Sequence, residues 1–232
     1  MNPECKVIIH DLSKSYDSQP IIQSLSITLS KGERAAVFAP SGAGKTTLIK
    51  MLAGLETPSS GFLHVNDDRP AVIFQEPRLF PYMTVEENIR LPWKVRNTPW
   101  TEQARIEFYE WLDICELLDS KDRYPYQLSG GMRQKTALIR GLLEHPTLAL
   151  MDEPFQSIGQ SSKNRIIGHI RKKNPEMAIL LVTHNADEIP ALTDWVYFFM
   201  SPRLVSPIKT TSQQFQVLFK KIYNPVLSLM PG

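Results

Sequence analysis

Apolar and polar side chains alternate through Leu25, Ile27 and Leu29, with serines and a threonine between them. This two-residue period predicts a strand with one buried face. Beyond Lys31-Gly32, the run Ala35-Ala36-Val37-Phe38 is apolar without a break, the pattern of a strand covered on both faces. A glycine-rich turn from Ala39 to Gly44 follows, and from Thr46 to Leu55 the apolar residues Leu48, Ile49, Leu52 and Leu55 recur at helical spacing. The order is strand, loop, helix. Turns at Pro58-Ser59-Ser60-Gly61 and from Asn66 to Pro70 bracket a short strand at Phe62 to Val65, and Ala71 to Phe74 reads as a second buried strand with Gln75 at its end.

The texture then changes. Pro77, Pro81, Pro92 and Pro99 punctuate short helical pieces, and Thr84-Val85-Glu86-Glu87 has the form of a capping box. Thr101 to Leu118 has helical periodicity, Tyr124-Pro125 interrupts it, and Ser129 stands as N-cap of a helix to about Leu143, ended by His145-Pro146. Leu148 to Met151 and Met177 to Val182 are apolar runs separated by a helical stretch from about Ser161 to Lys173. Apolar strands alternating with helices imply an α/β fold with a mostly parallel sheet covered on both faces. The tail, 201–232, offers one further helix near Gln213 to Tyr223.

Composition adds limits. A chain of 232 residues fits one α/β core, with or without a small appended lobe, and its 42% hydrophobic and 22% charged residues are ordinary for a globular protein. A formal charge of +2 gives no electrostatic reason to expect nucleic acid as a partner. The longest apolar stretches fall far short of the roughly 20 residues of a spanning helix. Met1 to Tyr16 lacks the apolar centre of a signal peptide, so the cytoplasm is the expected compartment. Cys5 and Cys115 are far apart with no metal-spaced neighbours.

The candidate chemistry lies at strand ends. Ala39-Pro40-Ser41-Gly42-Ala43-Gly44-Lys45-Thr46-Thr47 matches the phosphate loop except that Ala39 replaces the first glycine. Backbone amides of Gly42 to Thr46 can wrap phosphates at the positive end of the following helix, Lys45 can balance their charge, and the Thr46 hydroxyl can ligate magnesium. Alanine at position 39 raises the prospect of local backbone strain. Leu148 to Met151 leads into Asp152-Glu153, an apolar strand ending in two carboxylates. Asp152 is placed to hold magnesium, and Glu153 to orient or deprotonate an attacking water. His184 and Gln75 end other strands in the same way and are candidates to contact the γ-phosphate, Gln75 through it or the metal. Ser129-Gly130-Gly131 opens a second helix with a hydroxyl cap and unpaired amides. Two anion-binding helix starts beside one carboxylate pair are explained if the second covers ATP held by another subunit, which makes the active form a dimer.

In this order Ala39 to Thr47, Gln75, Leu128 to Gln134, Leu150 to Glu153 and His184 resemble the ATP-binding-cassette (ABC) ATPases over most of the chain. The resemblance implies a P-loop NTPase (RecA-like) core with an antiparallel β subdomain and a helical subdomain at about 76–145, forming one domain. It implies Tyr16 as the aromatic that stacks on adenine, and ATP with Mg2+ as ligands. Phe74 to Pro81, the Met83-to-Asn88 stretch and Ser129 to Gln134 look like the importers of nitrate, sulfonate, taurine and related oxyanions. That similarity implies a peripheral subunit on the cytoplasmic face of the membrane. Its partners would be a second copy, integral permease subunits docked near Glu76 to Trp93 and, indirectly, a solute-binding protein. An exporter or lipid-extraction subunit, a non-transport switch and a poorly hydrolysing half of an unequal pair are the alternatives. Against the family pattern, Ser-Ala-Leu-Asp reads Gln156-Ser157-Ile158-Gly159, Tyr126 stands where histidine is common, and the interval from Lys45 to Gln75 is short.

Overall fold

The computed structural model describes residues 4–200, 203–205 and 207–227, with side chains in the last helix described as far as Lys220. In chain order the elements are β1 (Cys5–Tyr16), β2 (Gln19–Ser30), β3 (Arg34–Phe38), α1 (Lys45–Leu52), β4 (Ser60–Val65), β5 (Ala71–Ile73), α2 (Val85–Arg96) and α3 (Glu102–Ile114). They continue with α4 (Gly130–Leu142), β6 (Leu148–Asp152), α5 (Gln160–Lys173), β7 (Ala178–Thr183), α6 (Ile189–Leu192), β8 (Trp195–Phe198), β9 (Leu204–Val205), β10 (Ile208–Thr211) and α7 (Ser212–Leu227). The chain forms two compact units, one running up to Asp68 and resuming at Ala178, the other Arg69–Met177.

In the first unit β1 pairs antiparallel with β2 on one side and with β4 on the other, while the short β9 adds to β2 in parallel. Leu25, Ile27 and Leu29 point inward as their alternation predicts, opposite Val7, Ile9 and Leu12. A second sheet places β3 between β7 and β8, both parallel to it, and β10 pairs antiparallel with β8. Every residue of β3 and β7 is buried. Such two-sided burial is what an unbroken apolar strand buys in energy, about 1.5–3 kcal/mol for each large aliphatic side chain. Phe215 of α7 packs against Phe38 and Phe198, with ring centroids 4.9 and 5.5 Å apart. The strands β9, two residues, and β10, four residues, are too short for periodicity to reveal.

In the second unit β5 and β6 run parallel, with Ile73 opposite Met151. The predicted capping box is present: Glu87 N–H donates to the Thr84 hydroxyl and Thr84 N–H to the Glu87 carboxylate. Thr101 and Ser129 cap α3 and α4 as their sequence positions require. Pro92 lies inside α2 rather than ending it. Two predicted helices stop early. The first ends at Leu52, followed by Gly54 in the left-handed region, and that predicted over Thr101 to Leu118 ends at Ile114, with Glu116 at φ 57°. The helical lobe expected at 76–145 lies within this unit, which also holds β5, β6 and α5.

Candidate functional site

Parallel pairing puts the ends of β3 and β7 side by side, with Phe38 opposite Thr183. The loop carrying Ser41, Gly42, Ala43, Gly44, Lys45, Thr46 and Thr47 therefore leaves the same sheet edge as His184. Gly42 and Gly44 have φ of 80° and 92°, values that turn the backbone into a ring of inward amides. A Cβ on Gly44 would collide with the side chain of Ile21, so sterics and backbone both require glycine there. Gly44 caps α1 without any side-chain bond, leaving the first amides of the helix for an anion. Lys45 is buried, and its Nζ donates to the carbonyls of Ala39 and Pro40, 2.9 Å each. Those carbonyls hold the ammonium within the loop. Ala39 is buried and outside the left-handed region, so the strain anticipated there is absent.

His184 is exposed on a braced turn. Thr183 Oγ1 donates to Glu188 at 2.8 Å, Asn185 N–H donates to Thr183 Oγ1 at 3.0 Å, and the Asn185 amide donates to Glu188 at 3.3 Å. Tyr16 is the last residue of β1 and is 40% exposed. Its hydroxyl donates to Glu56, and Lys14 Nζ lies 4.9 Å above its ring and 3.1 Å from Glu56 Oε1. The hydrogen bond to Glu56 raises the Tyr16 phenol and lowers the Glu56 carboxyl. Tyr16 thus offers a ring with Lys14 over one face. Sequence reading missed Lys14 and Glu56, although Lys14, two residues before Tyr16, lies on the same face of β1.

The second unit has its own sheet edge. With Ile73 opposite Met151, Gln75 and the pair Asp152-Glu153 emerge beside each other. Asp152 is 1% exposed and Glu153 is 7% exposed, the latter at φ 47° immediately before Pro154. A left-handed glutamate there costs roughly 1–3 kcal/mol, a strain that collects at functional positions. Gln75 Nε2 donates to Gln156 Oε1 at 2.8 Å, and Gln134 Nε2 donates to the carbonyl of Phe74 at 3.2 Å. Ser129 Oγ accepts from Met132 N–H at 3.2 Å, with Ser129 and Gly130 exposed at the start of α4. Arg133 turns back to the Leu128 carbonyl at 3.0 Å. A Cβ on Gly131 would stand 2.5 Å from the Ser157 carbonyl oxygen. Further along, Met83, Glu86, Glu87, Arg90, Trp93 and Trp100 border a groove of about 610 Å³. Tyr126, 78% exposed, stacks on Tyr124 at 5.9 Å.

The sequence profile described as ABC transporter matches residues 22–156, which include the phosphate loop, Gln75, the Ser129 helix start and the carboxylate pair. The chain belongs to the ABC transporter family. Among its ABC relatives, the aliphatic sulfonates import ATP-binding protein SsuB of Granulibacter bethesdensis is 38% identical over 202 residues, 86% of this chain and 82% of that protein. The sulfate/thiosulfate import ATP-binding protein CysA of Nitrosomonas europaea is 35% identical over 201 residues, 80% of this chain and 56% of that protein. A solved ATP-binding subunit of an ABC transporter superposes with a TM-score of 0.80 at 24% identity, covering 92% of this chain and 93% of that one. A dimeric bacterial ABC transporter cassette gives 0.77 at 22% identity, covering 88% and 98%. These two establish the α/β cassette fold. Among the described residues no helix is long and apolar enough to cross a membrane.

Proposed function

We propose that this ABC chain is the ATP-hydrolysing subunit of an importer for a small oxyanion of the sulfonate, sulfate, nitrate or taurine kind. In this reading the amides of Ser41 to Thr47 and the ammonium of Lys45 bind the β- and γ-phosphates, and Tyr16 stacks on adenine. Glu153 takes the proton of the attacking water, while His184 and Gln75 meet the γ-phosphate side. Thr46, Gln75 and Asp152 supply hydroxyl, amide and carboxylate oxygens. That hard-oxygen donor set, with a single carboxylate, suits Mg2+ held mainly by phosphate. Magnesium, when bound, neutralises charge on the phosphates. Ser129, Gly130 and Gly131 of a second copy complete each site, so two ATP molecules bind between two subunits. The groove at Glu86, Arg90 and Trp93 receives the permease, with the subunit peripheral at the cytoplasmic face and a solute-binding protein acting on the permease. Import relatives favour this over an exporter or a soluble switch.

The observation that carries the reading is Lys45 held by two loop carbonyls inside a ring built on left-handed Gly42 and Gly44. Lys45→Ala is expected to slow ATP hydrolysis by about a hundredfold or more while the protein stays folded, since it removes the cation facing the transferring phosphate. Turnover and circular dichroism of both proteins check this. A variant that hydrolyses ATP as wild type does would remove Lys45 from the reaction.

A further inference from the structure

We propose that Gln156 is a positioning residue for Gln75: its side-chain oxygen holds the nitrogen end of the Gln75 amide, so that the oxygen end is the one presented to a metal ion or water. This rests on the role given to Gln75 above. A carboxamide on an exposed strand end can present NH2 or oxygen by a half-turn of its last torsion, and only the oxygen serves a hard cation. In the structure Gln75 Nε2 donates to Gln156 Oε1 at 2.8 Å, which leaves Gln75 Oε1 as the end turned away from Gln156.

Both ends of that bond sit on anchored backbone. Gln156 lies between Phe155, fully buried, and Ile158, 6% exposed, and the turn is closed by Gln156 N–H to the Glu153 carbonyl at 3.3 Å and Ile158 N–H to the Phe155 carbonyl at 3.0 Å. The Ser157 carbonyl presses against Gly131, where a side chain has no room. On the other side, the Gln134 amide fixes the Phe74 carbonyl one residue before Gln75. Little backbone entropy is then left to oppose the bond. The serine that the family pattern has at position 156 is too short to offer an oxygen at the same distance from the backbone. The departure from that pattern supplies a contact.

The test uses the full-length protein and three variants: Gln156→Met, near in size but without an acceptor, Gln156→Glu, which keeps one, and Gln75→Ala as reference. Two quantities are read: retention of Mn2+ on the ATP complex, by electron paramagnetic resonance titration, and the Mg2+ concentration giving half-maximal hydrolysis. Gln156→Met is expected to weaken Mn2+ retention and raise the Mg2+ requirement roughly three- to tenfold. Gln75→Ala should do so at least as strongly, and Gln156→Glu should stay at or below the wild-type requirement. Melting temperatures should move by no more than about 2 °C, as for exposed substitutions. If Gln75→Ala weakens metal retention and Gln156→Met does not, Gln156 has no positioning role and the role of Gln75 stands. If Met and Glu at 156 are equally impaired with a lowered melting temperature, Gln156 is structural only. If Gln75→Ala leaves metal retention unchanged, the reading of Gln75 itself fails and this inference with it.

Discussion

Glu153 and Glu116 are both glutamates on left-handed backbone, at φ 47° and 57°, yet one is buried and the other lies at the surface. Glu153 is the residue proposed to act on the attacking water. Glu116 accepts hydrogen bonds from Lys135 Nζ at 2.8 Å and Ser162 Oγ at 2.6 Å and also pairs with Arg165. The Lys135 bond, with Ser162 second, lowers its carboxyl from 4.5 to about 2. A carboxyl depressed in the folded state contributes stability above its unfolded value, and that contribution is lost as pH falls from 4.5 toward 2. Its side chain is 54% exposed, so solvent screening keeps the gain to at most about 1 kcal/mol. Glu116→Gln should therefore lower the melting temperature at pH 7 by roughly 2–4 °C, and the difference from wild type should narrow below pH 4.5. Melting curves at several pH values check this; a difference that stays constant into acid would show that the ion pairs are not its source.

At the scale of elements, the start of α4 depends on a close approach. A Cβ on Gly131 would meet the Ser157 carbonyl oxygen at 2.5 Å, a backbone atom that cannot swing aside. Gly131→Ala should cost about 1–3 kcal/mol as overpacking does and lower the melting temperature by several degrees. Gly159→Ala, where a Cβ meets nothing within 4 Å and only the N-cap preference of α5 is lost, is the milder control. Differential scanning calorimetry of both variants reads the contrast, and equal melting temperatures would contradict it. Elements with strong local signals were legible in sequence: the unbroken apolar runs of β3, β6 and β7, and the Thr84 and Ser129 caps. Others were not. β9 and β10 owe their existence to partners distant in sequence, β2 and β8, and the early ends of α1 and α3 follow from left-handed backbone at Gly54 and Glu116. Neither a two-residue ladder nor a single left-handed residue leaves a periodic trace.

For the whole molecule, the order of the candidate residues was readable, and strand register explains why. Phe38 opposite Thr183 gathers the phosphate loop and His184 at one edge, and Ile73 opposite Met151 does the same for Gln75, Asp152 and Glu153. Side chains that act through a neighbour were not readable. Lys14 and Glu56 beside Tyr16, and Gln156 beside Gln75, meet across 40 or more positions or across a departure from the family pattern, except for Lys14 and Tyr16 on one strand. A second copy is invoked because the start of α4, with Ser129 and Gly130 exposed and Gly131 half-buried, offers amides for an anion. If each copy covers ATP held by the other, blocking hydrolysis should trap the pair. The most direct test is steady-state ATP hydrolysis by wild type and Glu153→Gln, with light scattering on both in Mg-ATP. Wild type is expected to turn over, Glu153→Gln to be slower by about a hundredfold or more, and the variant alone to accumulate as a dimer. Normal turnover by Glu153→Gln, or a variant that stays monomeric in saturating ATP, would contradict this.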